Sequence, residues 1–136
     1  MAETLKLEIV TPDGTVYSED VDMVTLPGVE GQMGIYPRHV PLMTQMVPGE
    51  ITVRKDGVDY FLATGEGLIE ITGDHVAILT DMAIAAEHID EAKAEEARRR
   101  AQARLQEKLS DEEVASVNSS MARSLAQLHV KRRQHK

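Results

Sequence analysis

Up to about residue 82 the hydrophobic positions recur every second residue. In LKLEIV, Leu5, Leu7 and Ile9 fall on one face; in ITVRK, Ile51 and Val53; in VDYFLA, Val58, Tyr60 and Leu62. A period of two belongs to strands with one face turned to a core. Asp56-Gly57 separates the last two runs, and Gly73-Asp74 separates LIEIT from HVAIL. Both pairs predict tight hairpins, because glycine takes a positive φ without a steric penalty. Short strands with turn signals every ~8–12 residues read as a sandwich or a barrel.

Past Ala86 the period changes. No Gly or Pro occurs from Glu87 to the end, and Ala, Glu, Arg, Gln and Lys dominate; these residues favour helix. Ala97, Ala101 and Leu105 recur at helical spacing. Ser110 followed three residues later by Glu113 forms a capping box that opens a second helix. That helix carries Val114, Val117, Met121, Leu125 and Leu128 as one predicted apolar stripe. Two amphipathic helices joined by a short turn predict an antiparallel hairpin. Its first helix offers mainly small side chains, Ala92, Ala94, Ala97, Ala101 and Ala103, which allow close approach and bury little area. The expected organisation is a β-domain over 1–86 and a helical hairpin over 87–136, which is either weakly held and able to detach or permanently docked.

Composition narrows the chemistry. Hydrophobic residues make up 42% of the 136 positions but aromatics only 3%, so the core must be built from aliphatic side chains. There is no cysteine, which excludes disulfides and thiolate metal sites and suits a reducing compartment. The N-terminus lacks the pattern of a signal peptide, and no stretch approaches the ~20 apolar residues of a membrane-crossing helix. Direct membrane insertion is not expected. The formal net charge of −8 is split: 14 acids against 4 bases over 1–86 (net −10), and 9 acids against 11 bases over 87–136 (net +2). Two surfaces of different sign point to different partners, and the acidic part argues against nucleic acid.

Catalytic and metal chemistry find little support. His39 stands alone, with no Cys and no helical His pair to complete a metal site. No Ser-His-Asp arrangement and no phosphate-cradling glycine loop is present. No catalytic residue and no metal ligand is assigned, and no cofactor is required.

Three stretches carry a resemblance. LPGVEGQMGIYPRHVPLMT over 26–44 contains PG-x-EG-x-MGI-x-P-x-H-x-PL-x-T. GEGLIEITGDHVAILTDMA spans 65–83. Ile89-Asp90-Glu91-Ala92-Lys93-Ala94 fits [IL]-D-x-x-[RK]-A. In this order they resemble the epsilon subunit family of the rotary proton-translocating ATP synthase (delta in mitochondria), over nearly the whole chain. The resemblance implies a β-sandwich N-terminal domain followed by a C-terminal antiparallel α-helical hairpin. It implies a non-catalytic central-stalk subunit that couples proton translocation to ATP synthesis. The sandwich would grip the gamma subunit and sit on the c-subunit ring. The helices would fold against the sandwich, or extend toward the alpha and beta subunits and inhibit ATP hydrolysis. The location implied is peripheral, on the cytoplasmic face of a bacterial plasma membrane.

On this resemblance Glu30, Gln32 and His39 are the expected c-ring contacts, although many relatives carry an acid where Gln32 stands. Gly31 and Gly34 would allow sharp turns, and Pro37 and Pro41 would stiffen the segment. The same residues are also explained by turn chemistry alone. In some relatives the helices bind ATP; Ile89, Asp90, Lys93, Ala94, Arg100 and Arg123 occupy those positions here. Lys93 replaces an arginine, Ile84 an acid and Gln127 a second arginine, so any regulatory ATP site would be weak. The competing reading makes Asp90 a helix N-cap. The basic runs Arg98-Arg99-Arg100 and Lys131-Arg132-Arg133 would face acidic catalytic subunits, or serve as a solvated helix face. Two other functions stay open: a free-standing ATP-sensing hairpin protein, and a small sandwich enzyme or ligand carrier.

Overall fold

The computed structural model describes residues 3–133, so positions 1–2 and 134–136 of the two expected modules lie outside it. The strands are β1 (Leu5–Thr11), β2 (Gly14–Val21), β3 (Met23–Gly28), β4 (Gly31–Ile35), β5 (His39–Met46), β6 (Gly49–Lys55), β7 (Val58–Thr64), β8 (Gly67–Gly73), β9 (His75–Thr80) and β10 (Ala83–Ala85). A 3-10 turn, Ala86–His88, leads to α1 (Glu91–Arg104) and α2 (Asp111–Arg133). The strands form one hydrogen-bonded sheet in the order β10-β7-β6-β3-β5-β8-β9-β1-β2, with β4 paired to β3 alone. It folds over on itself as a sandwich. Pairing is antiparallel apart from β1 against β9, where Ile9 lies opposite Ile78.

Alternation fills the interior. Leu5, Leu7, Ile9, Val24, Leu26, Ile51, Val53, Ile69, Ile71, Val76 and Ile78 belong to one buried cluster without a single fully buried aromatic ring. Both expected hairpins are present. Asp56 and Gly57 take φ of 53° and 77° between Lys55 and Val58, and Gly73 takes 59° between Thr72 and His75.

Two readings of the pattern need correction. Val58 and Tyr60 share a face with buried Leu62 but are themselves exposed, at the end of β7 that β10, paired only from Leu62 to Thr64, leaves as a sheet edge. In α2 the expected stripe fails at Leu125, which is exposed, while Ser124 is buried. The helix has two neighbours. Ala126 and Val130 meet Ala63 of the sheet, and Val117 lines a groove shared with Ala97 and Ala101 of α1. Ser124 and Leu128 lie seven and eleven residues beyond Val117, on its face of the helix. Leu125 falls outside both contacts. On α1, Ala94 and Ala101 are buried, whereas Ala92, Ala103 and Leu105 are exposed.

Local chemistry sets the helix ends. The Asp90 carboxylate accepts from the Lys93 amide at 3.1 Å and caps α1. Ser110 Oγ accepts from the Glu113 amide at 3.2 Å, and Glu113 Oε1 accepts from the Ser110 amide at 3.2 Å and from its hydroxyl at 3.0 Å. These bonds satisfy amides that the first turn of α2 would leave without partners. They hold the Glu113 carboxyl below its ordinary range, the Ser110 amide contributing most.

Candidate functional site

The two outer faces of the sandwich differ. Outside β6, β7 and β10, Ala63, Phe61, Met82 and Ile84 pack with Ala86, Ile89, Ala126 and Val130. The hairpin covers this face. Outside β5, β8, β9 and β1 no such cover is present among the described residues. Register places Gln45 opposite Leu68, Leu68 opposite Leu79, and Leu79 opposite Val10. Leu68 is 47% and Leu79 52% exposed, and Met43, opposite Glu70, is 65% exposed. Pro12 and Thr11 extend the groove at one side, and Glu66 and Asp81 border it. Tyr36, Val40 and Leu42 are also exposed, on and before β5. Large apolar side chains side by side on an open sheet mark a docking surface.

Pattern reading of the chain passed over this face, yet a signal was there. HVAILT places Val76 and Ile78 inward and Ala77 and Leu79 outward. A strand that is apolar on both faces ordinarily has both faces covered.

Glu30, Gln32 and His39 are not one cluster. Glu30 lies in the two-residue turn between β3 and β4, and Gln32 follows on β4 opposite Pro27; both are exposed. His39 begins β5, opposite Gly73 at the far end of β4. About 14 Å of strand stands between them. Gly31, at φ 127°, makes the turn possible, whereas Gly34 lies in the β3–β4 ladder and has no positive φ. Beside His39 the left-handed residue is Arg38, at φ 66°; its amide donates to Asp74 Oδ1 at 2.7 Å. His39 Nδ1 lies 2.6 Å from the Val40 carbonyl oxygen.

The positions matched to a nucleotide site are likewise divided. Ile89 is buried against the sheet and Ala94 in the hairpin, while Asp90 acts as the cap of α1. Lys93 is exposed. Further along, Arg100, Arg104, Ser116 and Ser120 line a groove of about 370 Å³ between the helices. Arg123 donates to Ser120 Oγ and to Asp81 Oδ2, each at 3.2 Å. Arg100 pairs with Glu96 at 3.3 Å and shares the groove with Ser120, the acceptor of Arg123, apart from the Asp90 end. What occupies that end is a clasp outside the sequence reading. Arg132 reaches Glu91 and Glu95 of α1 at 3.0 Å each, and Arg98 meets Glu95 at 2.5 Å. Hydrogen bonds from Arg98 first, then Arg132, hold the Glu95 carboxyl down at about 2.

Among the described residues no helix is long and apolar enough to cross a membrane, and no group of three or more His, Cys, Asp or Glu could hold a metal.

Comparison with known proteins gives matches over the whole described chain. The family "ATP synthase, Delta/Epsilon chain, beta-sandwich domain" matches residues 4–86, and "ATP synthase, Delta/Epsilon chain, long alpha-helix domain" matches 87–132. The ATP synthase epsilon chain of Herpetosiphon aurantiacus is 42% identical over 126 residues, covering 93% of each chain. That of Dehalococcoides mccartyi is 42% identical over 134 residues, covering 96% of each. Among solved structures, a chain of the Euglena gracilis mitochondrial ATP synthase (OSCP/F1/c-ring) aligns with a TM-score of 0.72 at 24% identity, over 93% of this chain and 79% of that one. A chain of the Tetrahymena thermophila central stalk/c-ring aligns at 0.68 with 11% identity, over 95% and 97%. These two show a shared fold.

Proposed function

This chain belongs to the ATP synthase delta/epsilon family, and on that premise we propose that it works as an epsilon-type central-stalk subunit coupling proton translocation to ATP synthesis. The observation that carries the reading is the contrast between the covered and the open outer face of one sandwich. In this reading Met43, Leu68, Leu79 and Val10 dock against the gamma subunit. Glu30 and Gln32 at one tip, and His39 at the other end of β4, meet the c ring. The protein is held peripherally on the cytoplasmic face of a bacterial plasma membrane through those partners. The hairpin is the regulatory module. Released from the sheet, it carries Arg98, Arg99, Arg100 and Lys131, Arg132, Arg133 toward the alpha and beta subunits and inhibits ATP hydrolysis.

Leu68→Glu combined with Leu79→Glu tests the docking face. Each buried Leu is worth ~1.5–3 kcal/mol, so the pair should weaken binding to isolated gamma by at least about a hundredfold. Unchanged gamma affinity in a folded double variant would refute the assignment.

Weak regulatory ATP binding is a second reading, favoured by the inter-helix groove in which Arg100, Arg104, Ser116 and Ser120 converge. Arginine guanidinium groups suit phosphate oxygens. Titration of the isolated chain with millimolar ATP tests it, and an absence of binding heat would remove it.

A further inference from the structure

We propose that Glu50, Phe61 and Arg133 form a latch that sets how tightly the hairpin is held on the sandwich, with the buried Glu50 carboxylate favouring release and Arg133 favouring the docked state. Its regulatory meaning rests on the reading of the hairpin as a releasable inhibitor. The contact itself is argued from the geometry below.

Ile51 and Val53 of β6 point into the inner core, so alternation sends Glu50 and Thr52 to the outer face. That is the face α2 covers. Register sets Glu50 opposite Ala63, which in turn lies opposite Ile84, and sets Thr52 opposite Phe61. A carboxylate has thus been placed in a row of apolar side chains beneath a helix. Its side chain is only 8% exposed. Oε1 pairs with Arg133 and lies 3.4 Å from the Thr52 hydroxyl, while Oε2 is buried with no donor among the described residues. The Arg133 guanidinium lies 5.2 Å from the centre of the Phe61 ring, and its side chain stays 55% exposed. Arg133 therefore spans both groups from the last turn of α2.

The arrangement has a definite sign. A docked Glu50 gives up hydration and leaves one oxygen without a donor, which is unfavourable. With α2 lifted away, water restores both oxygens. An apolar residue at this position would bury similar area with no such penalty. Arg133 offsets part of the loss by its ion pair and by lying over Phe61. Asp59, the opposite neighbour of Arg54, also feels the Arg133 charge. That second carboxylate, itself paired with Arg54, adds to the pull on Arg133 in its docked place. The rest of the docked contact mixes small and partly covered side chains: Ala126, Val130 and Ile89 pack with Ala63 and Ala86 and against partly buried Phe61, Met82 and Ile84, Arg123 meets Asp81, and Lys131 Nζ donates to the Ala86 carbonyl at 3.2 Å. One residue pair buried within such a contact shifts its balance.

The test is amide hydrogen exchange on the full isolated chain, comparing residues 124–133 of α2 with β8 and β9 as a check on the sandwich. Arg133→Ala should speed exchange in 124–133 on the order of tenfold, the loss of a buried pair being discounted for the exposure of Arg133. Glu50→Met should leave exchange as in the parent or slow it. The combined Glu50→Met/Arg133→Ala variant should exchange within about twofold of Glu50→Met alone, since no buried carboxylate remains to be compensated. Strands β8 and β9 should stay protected in all three. The latch is overturned if Arg133→Ala leaves α2 exchange unchanged, if Glu50→Met speeds it, or if the double variant exchanges as fast as Arg133→Ala. Because docking is read without any partner, a failed latch is distinguishable from a hairpin that docks as described and inhibits nothing.

Discussion

A chain cut after Ala86 should keep its sandwich and the open face proposed to bind the gamma subunit. Every member of the inner cluster, from Leu5 to Ile78, lies before the cut. Each fully buried Leu, Ile or Val contributes ~1.5–3 kcal/mol, and removal of the hairpin touches none of them. What the cut exposes is the outer patch: Ala63 and Ala86, with Phe61, Met82 and Ile84, which are already partly open. Uncovering two small buried side chains and fractions of three larger ones should cost about 2–4 kcal/mol. Restoring water to the Glu50 carboxylate offsets about 1–2 kcal/mol of that. A net loss of about 2 kcal/mol in a domain this size lowers the melting temperature by roughly 8–16 °C. Circular dichroism of residues 1–86 should show a strand spectrum and one cooperative thermal transition in that range below the parent, and a gamma pull-down should retain the fragment. A fragment without a cooperative transition, or one that is folded yet fails to bind gamma, would refute the reasoning.

Ser110→Ala removes one side of the capping box and should destabilise α2 by ~1 kcal/mol, seen as faster amide exchange in its first two turns and not in β8 or β9. Hydrogen bonds from Arg98 and Arg132 hold the Glu95 carboxyl at about 2, below its ordinary value of 4.5; a depressed folded value means that its contribution is present above about 4.5 and lost as pH falls toward 2. The contacts of Glu95 with Arg98 and Arg132 should therefore loosen below pH 4. Carboxyl chemical shifts of Glu95 should report the titration, and a midpoint near 4.5 would remove the clasp. If the chain binds ATP in the manner of the motif at 89–94, Lys93→Arg should strengthen the binding heat and Asp90→Ala abolish it; equal heats for both variants would leave Asp90 with its cap role alone.

The parts of the fold legible in the sequence are those whose cause is local. Asp56-Gly57 reads as a hairpin because two adjacent positive φ values can be met there, and the capping box reads because its partners are three residues apart. The parallel β1–β9 pair has no such signal, since Ile9 and Ile78 meet only once the sheet has folded over. Arg38 at φ 66° carries no mark either, its conformation being held by Asp74 thirty-six residues away. The stripe on α2 was misread at Leu125 because one period describes one buried face, and this helix has two neighbours. The separation of His39 from Glu30 has a similar origin. Residues 30–39, rich in Gly and Pro, look like one loop, but pairing with β3 turns their middle into a strand. Glu50 carries no local mark of burial either, since the Arg133 that covers it comes from α2, eighty-three residues away.

Side-chain size then separates the two outer faces in a way that bears on function. The hairpin meets the sheet through buried Ala63, Ala86, Ile89, Ala126 and Val130, with Phe61, Met82 and Ile84 only partly covered beside them, helped by polar contacts from Arg123, Lys131 and Arg133. Small residues let the helix approach closely but bury little area, and half-exposed ion pairs add little and weaken with salt. The open face instead presents Leu68, Leu79 and Met43, each able to bury several times the area of an alanine methyl. A partner seated there would leave slowly, because interfaces that bury large apolar side chains differ mainly in dissociation rate. One sandwich thus carries a partly polar, lightly buried cover on one face and large open apolar side chains on the other, the contrast on which the proposed regulatory arm and gamma contact both rest.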